Sequence, residues 1–154
     1  RNRTKERLME NTFGNELREF NCLYKEVDEI YHEIALKMGI SDSGFIILYA
    51  LAELGDGCLQ KDIAKIYYIS KQTVNSSISN LKKNGYVCLR PGKGRDMHIC
   101  LTPRGEELIR EKIVPVIEAE NSTFAAMTQK ESRELIRLTR KYASLLREKA
   151  EQIL

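Results

Sequence analysis

Between Glu16 and Met38, apolar side chains recur at Leu17, Phe20, Tyr24, Val27, Ile30, Tyr31, Ile34 and Met38, at intervals mostly of three and four. That spacing lays them along one stripe of an amphipathic helix, which Gly39 ends. Ser41 and Asp42 can cap a second helix whose core, GFIILYALAEL, is apolar almost all round, the pattern of a helix buried on most sides. Gly55 and Gly57 close it. A short third helix is predicted from Gln60 to Tyr67, and Ser70 caps a fourth, Lys71 to Asn84, that Gly85 stops. Two apolar stretches, YVCLR and MHICL, read as strands joined through PGKGRD, whose glycines permit a tight hairpin tip. Thr102 and Pro103 open a fifth helix carrying Leu108, Ile109, Ile113, Val116 and Ile117. Pro115 removes a backbone donor from it, so a break is expected near residues 111–115. Thr128 and Glu131 make a capping box for the last helix, striped by Leu135, Leu138, Tyr142, Leu145, Leu146 and Ile153.

Helix, turn, polar-faced helix and hairpin in that order describe a winged helix-turn-helix, so the expected fold is mainly α with a small β-hairpin wing. The first, fifth and sixth helices are long, amphipathic and placed at the two ends of the chain. A second subunit would bury their stripes. The expected organisation is a helical dimerisation module from residues 1–40 and 103–154 around a DNA-binding domain at 41–102.

Charge sharpens this picture. Residues 59–104 hold nine Lys or Arg against two acids, a net of +7, while the whole chain is +3. Positive potential is thus concentrated where phosphate contacts would need it. On the fourth helix Val74, Ile78 and Leu81 fall on one side, and Gln72, Ser76, Ser79 and Lys83 point away, flanked by Asn75 and Asn80. Residues 71–84 contain no Asp or Glu. Amides, hydroxyls and ammonium groups without carboxylates suit the hydrogen-bonding edges of a major groove. Ser70, Lys71 and Thr73 sit at the helix start, where free amides favour phosphate. In the wing, Arg90, Lys93 and Arg95 gather three cations, and Gly94 leaves room for Arg95 to approach a minor groove.

Other classes recede. No apolar run approaches the roughly 20 residues needed to cross a bilayer, and RNRTKERLMENTFGN does not resemble a signal peptide, so a cytoplasmic location is expected. Because the chain opens on Arg1 and not Met, a trimmed or partly ordered sequence is expected. Cys22, Cys58, Cys88 and Cys100 show no CxxC spacing, and those with apolar neighbours are expected to be buried hydrophobes. With only His32 and His98, and no Ser/His/acid order or phosphate loop, no enzyme, metal site or cofactor is expected.

The segments LQKDIA, ISKQTVNSSISNLKKNGYV and RDMHICLTPRG resemble the MarR family, the multiple-antibiotic-resistance type of bacterial winged-helix regulators, and the likeness runs over about residues 16–152. It implies a homodimer on inverted-repeat, often AT-rich operators, a repressor of adjacent genes released by a small-molecule effector. The alternative is a winged-helix protein-interaction module without DNA binding. By resemblance, Gln72, Thr73, Asn75, Ser76 and Asn80 read bases, Lys71 and Lys83 contact the backbone, and Arg95 is the wing-tip residue. Tyr24, Tyr31, Phe45 and Tyr49 border the region where family members hold effectors. The chain departs from the pattern at Lys93, where many relatives carry an Asp that braces the wing Arg. Tyr68 replaces a frequent Gly, and Leu59 a frequent Thr or Ser cap. Cys22 lies in the first helix but too near the second to match the redox-sensing relatives.

Overall fold

A computed structural model describes residues 12–154. Residues 1–11, which include most of the N-terminal stretch judged unlike a signal peptide and the start of the expected 1–40 segment, lie outside the described residues. The chain divides into two compact units, one ending at Glu107 and the other Leu108–Leu154.

In the first unit, α1 (Asn15–Met38) is followed by α2 (Asp42–Leu54), α3 (Gln60–Ile66) and α4 (Lys71–Lys83). The caps arise where the side chains require them: Ser41 Oγ accepts the Gly44 N–H at 3.1 Å, and Ser70 Oγ accepts the Thr73 N–H at 3.1 Å. Leu59, at the corresponding place before α3, supplies no side-chain cap. Ile47, Leu48 and Leu51 of α2, Ile63 of α3, and Val74 and Ile78 of α4 are no more than 2% exposed. Truncating any of the large ones to Ala would cost about 2–5 kcal/mol through lost transfer energy and the cavity left behind.

The turn between α3 and α4 is built against the grain of its sequence. Tyr67 donates its hydroxyl to the Glu53 carboxylate of α2 and its backbone N–H to Ile63 O, which anchors the end of α3. The chain then reverses at Tyr68, whose φ of +53° is the one positive value at a described non-glycine residue. At 87% exposed, Tyr68 gains little packing to offset a left-handed conformation that costs about 1 kcal/mol or more.

Strands β1 (Val87–Pro91) and β2 (Met97–Leu101) pair antiparallel with Leu89 opposite Ile99 and Cys88 opposite Cys100. Val87 and Ile99 join the core. An isolated β-bridge flanks β2: Leu59 pairs with His98, Gly57 N–H donates to Ile99 O, and Ile99 N–H donates to Cys58 O. Asp56 Oδ1 accepts the Leu101 N–H at 2.7 Å, and Thr102 Oγ1 donates to Gly85 O at 2.6 Å. At the start of α5 (Pro103–Leu108), a Cβ on Gly105 would lie 1.9 Å from Tyr86 O, so helix and hairpin approach at a distance only glycine permits.

In the second unit the expected break takes the form of a π-helical turn, Ile109–Ile113, in which Val114 N–H donates to Ile109 O. Pro115 has no N–H to offer the Glu111 carbonyl, and the five-residue repeat accommodates the missing donor. Helix α6 (Val114–Ala126) leads to α7 (Gln129–Glu151), where Thr128 Oγ1 accepts the Glu131 N–H at 3.1 Å. Ile153, expected on the last helix, lies beyond its end and is exposed. No single described helix is long and apolar enough to cross a membrane.

Two outcomes check this fold. Gly105→Ala is expected to lower unfolding free energy in urea by about 1–3 kcal/mol, because the added methyl forces the helix off the Tyr86 carbonyl. At the α1–α2 junction, His32 Nδ1 lies 3.0 Å from Asp42 Oδ2, and this hydrogen bond and charge hold the imidazole pKa above its ordinary value. Since the folded value is raised, the pair stabilises the fold below the unfolded histidine pKa, and the gain disappears as pH rises through the folded value. An NMR titration of His32 should therefore give a midpoint above that of a free histidine, and Asp42→Asn should return it.

Candidate nucleic-acid interface

Burial of Val74, Ile78 and Leu81 turns the remaining side of α4 to solvent, and Lys71, Gln72, Thr73, Asn75, Ser76, Ser79, Asn80 and Lys83 are all exposed. Ser77, between them, is buried. The exposed groups differ in how far they are already engaged. Ser70 Oγ, besides capping the helix, donates to Thr73 Oγ1 at 2.8 Å, and Ser76 Oγ donates to Gln72 O at 3.0 Å. Asn80 Oδ1 accepts from Asn84 Nδ2 at 3.4 Å. Asn75 Oδ1 accepts an amide N–H of Gln60, reaching across from α3, which fixes the orientation of the Asn75 amide. Gln60 was not anticipated from the sequence, because its partner lies 15 positions away and neither residue belongs to the other's periodic pattern.

The wing tip is a closed turn. Gly92 N–H donates to Asp96 O at 2.7 Å and Asp96 N–H to Lys93 O at 3.0 Å, with Gly94 at a φ of +60° between them. Lys93, Gly94 and Arg95 are exposed. Arg90 is turned elsewhere: its Nε donates to Cys100 Sγ at 2.9 Å, on the hairpin face shared by Cys88 and His98. Of the three wing cations, therefore, Lys93 and Arg95 belong to the tip and Arg90 lies along the strands.

What holds the tip in place is an ion pair. Lys61 Nζ on α3 lies 2.8 Å from Asp96 Oδ2, and the Asp96 carboxylate holds the lysine pKa above its ordinary value. Asp96 thus ties the wing to α3. A groove of about 360 Å³ runs between α3, α4 and the wing and brings Arg95 together with Lys71, Asn75, Gln60 and the Lys61–Asp96 pair. Its walls carry cations and amides around the apolar floor of Val74 and Met97.

Among the aromatic residues of α1 and α2, Tyr31, Phe45 and Tyr49 form a ladder with ring centroids 6.5 and 6.1 Å apart, and Phe45 is buried. Tyr24 stands outside that ladder, exposed and stacked at 6.2 Å on Phe20. Among the described residues no group of three or more His, Cys, Asp or Glu could hold a metal ion.

A family model described as MarR family matches residues 38–96, the stretch from the end of α1 to the wing tip. The chain has the winged-helix fold of the MarR family. Solved structures extend the likeness beyond the matched segment. A MarR family regulator from Neisseria meningitidis shares 20% identity at a TM-score of 0.79, covering 92% of this chain and 100% of that one. Staphylococcus aureus MepR in complex with DNA shares 23% identity at 0.66, covering 86% and 98%. Staphylococcus aureus MarR in complex with salicylate and kanamycin shares 20% at 0.66, covering 86% and 90%. No curated protein matches the sequence.

Removing the strut tests its part in the MarR-like wing. Asp96→Ala should accelerate amide hydrogen exchange at Gly92 and its neighbours in the tip, with little change in the global denaturation midpoint. Unaltered exchange would show that the backbone turn suffices to hold the tip.

Proposed function

We propose that this chain is a dimeric, sequence-specific DNA-binding transcriptional regulator, a repressor of adjacent genes released by a small-molecule effector. The observation that carries the reading is the carboxylate-free exposed face of α4 beside a groove in which Lys71, Asn75 and Arg95 converge. In this reading α4 lies in a major groove, with Gln72, Asn75, Ser76, Ser79 and Asn80 toward base edges. Ser70, Lys71, Thr73 and Lys83 take backbone phosphates, and Lys93, Gly94 and Arg95 follow the adjacent minor groove or its borders. Arg90, held along the hairpin, supplies long-range attraction more than insertion. The MepR structure with DNA supports nucleic acid as the partner of this fold.

Two-fold pairing supplies the inverted-repeat geometry. Leu17, Phe20, Leu23, Val27 and Ile30 of α1 are each 42–55% exposed, and Leu135, Leu138, Tyr142, Leu145 and Leu146 of α7 are 43–53% exposed. Stripes of that length left half-open are what a second copy would cover. For the effector, the MarR structure with salicylate supports an aromatic acid as the kind of ligand to try, with Tyr31, Phe45 and Tyr49 as the residues to probe and Tyr24 as a peripheral one.

The test is a mobility-shift titration of the wild type and three variants against the promoter beside the gene and an unrelated duplex. Arg95→Ala should weaken both duplexes to a similar degree. Gln72→Ala and Asn75→Ala should weaken the promoter selectively, by about 1–3 kcal/mol each. Unchanged binding by Arg95→Ala and Gln72→Ala together would remove the assignment.

A further inference from the structure

The outward face of the wing hairpin carries chemistry that DNA reading leaves unused. Cys88 stands directly opposite Cys100, and residues paired in this way project from the same face of the sheet. Both are free thiols. The phase of the ladder follows from its two ends: Gly92 N–H bonds Asp96 O and Thr102 N–H bonds Tyr86 O. Alternation then makes Cys88–Cys100 a hydrogen-bonded pair, with Cα atoms about 5.5 Å apart. That separation falls inside the roughly 4.4–6.8 Å that a disulfide spans, while the Cβ atoms of such a pair stand wider than the ~3.8 Å it prefers. A bond can close here with a local change in strand twist, and the strain keeps it easily reducible.

The two sulfurs are also differentiated. Cys88 is exposed, whereas Cys100 is 9% exposed and its Sγ accepts Arg90 Nε at 2.9 Å. An open thiol meets the oxidant and a sheltered one beside it resolves the product. Cys22 on α1 and half-buried Cys58 have no such register partner. Between Cys88 and Cys100 lie Arg90, Lys93 and Arg95, so the ring that a disulfide would close contains the entire wing tip.

We propose that Cys88 and Cys100 form a reversible dithiol–disulfide pair, oxidised by a peroxide, that changes the setting of the wing. The Cys88 thiolate attacks the peroxide, forming an S–O bond as the O–O bond breaks, and the leaving oxygen departs as water or alcohol after taking a proton. The Cys100 thiol gives its proton to solvent and attacks the Cys88 sulfur. The S–S bond forms, the S–O bond breaks, and hydroxide leaves and is protonated to water. Two thiols and one peroxide thus yield one disulfide, water, and a second water or an alcohol. Cys100 Sγ is drawn from Arg90 toward Cys88, and the altered twist shifts Arg95 relative to Lys71 and Asn75. The effect on DNA affinity rests on the reading given under Proposed function; the thiol chemistry does not.

The experiment treats the full chain, and a Cys22→Ser/Cys58→Ser variant that leaves only the pair, with hydrogen peroxide. Intact mass and peptide mapping are read first, then duplex affinity before and after dithiothreitol. Expected are loss of two hydrogens, a peptide linking Cys88 to Cys100 in both proteins, and an affinity reduced about tenfold that reductant restores, within the ordinary range of coupling between two sites. Cys88→Ser should show neither change. A product with added oxygen and no Cys88–Cys100 link overturns the pair. A disulfide that leaves affinity unchanged overturns its coupling to the wing. Should the reduced protein bind no duplex, DNA reading is what fails, and hydrogen exchange across residues 90–97 of the two redox forms then decides the change in wing setting. Identical exchange overturns it.

Discussion

Val74, Ile78 and Leu81 of α4 are no more than 5% exposed, and their burial fixes the rotation of that helix about its own axis. An α-helix advances about 100° per residue, so choosing which side chains enter the core also chooses which nine meet the solvent. The composition of the exposed side is thus positioned by the core. A rotation large enough to hide Gln72 or Asn75 would expose Val74 or Ile78 and open a cavity against α2, at about the 2–5 kcal/mol typical of lost core side chains. The lack of carboxylates matters because it occurs on a face with a fixed direction.

The wing is held at its base by backbone and side-chain hydrogen bonds and toward its tip by an ion pair. Gly57 and Cys58 bond Ile99, Asp56 receives Leu101, and Thr102 reaches Gly85. Toward the tip, Lys61–Asp96 reaches across to α3. A hairpin fixed at one end and tethered at the other can hold Arg95 beside Lys71 and Asn75 while remaining sensitive to changes in strand twist. That sensitivity is what would give chemistry at Cys88 and Cys100 an effect beyond the two sulfurs.

Periodicity and caps were legible in the sequence because they are local. Ser41, Ser70 and Thr128 cap their helices, the fourth helix buries the three residues its spacing indicated, and the break before Pro115 takes place within one turn of where the missing N–H required it. The relations that shape the site were not legible, because each joins separate patterns. Lys61 meets Asp96 across 35 positions and Gln60 meets Asn75 across 15. The bridge at Leu59 is a single residue and shows no alternation. Gly105, read only as part of a motif, is required by a carbonyl 19 residues earlier in the chain. Cys88 has apolar neighbours and was expected inside, yet the pleat turns it to solvent while Val87 enters the core. Tyr24 follows the stripe of α1 but lies too far along it to join the ladder around Phe45.

Duplex affinity measured as a function of salt tests most directly whether α4 and the wing contact phosphates. Lysines and arginines that neutralise phosphates release counterions, so the logarithm of the association constant should fall linearly with the logarithm of salt, with a slope of about −0.9 for each phosphate contacted. Charge-removing substitutions at Lys71 and Arg95 should each make that slope shallower by about one contact. A flat dependence, or no duplex binding at low salt, would contradict the account and leave the winged helix as a module for binding another protein.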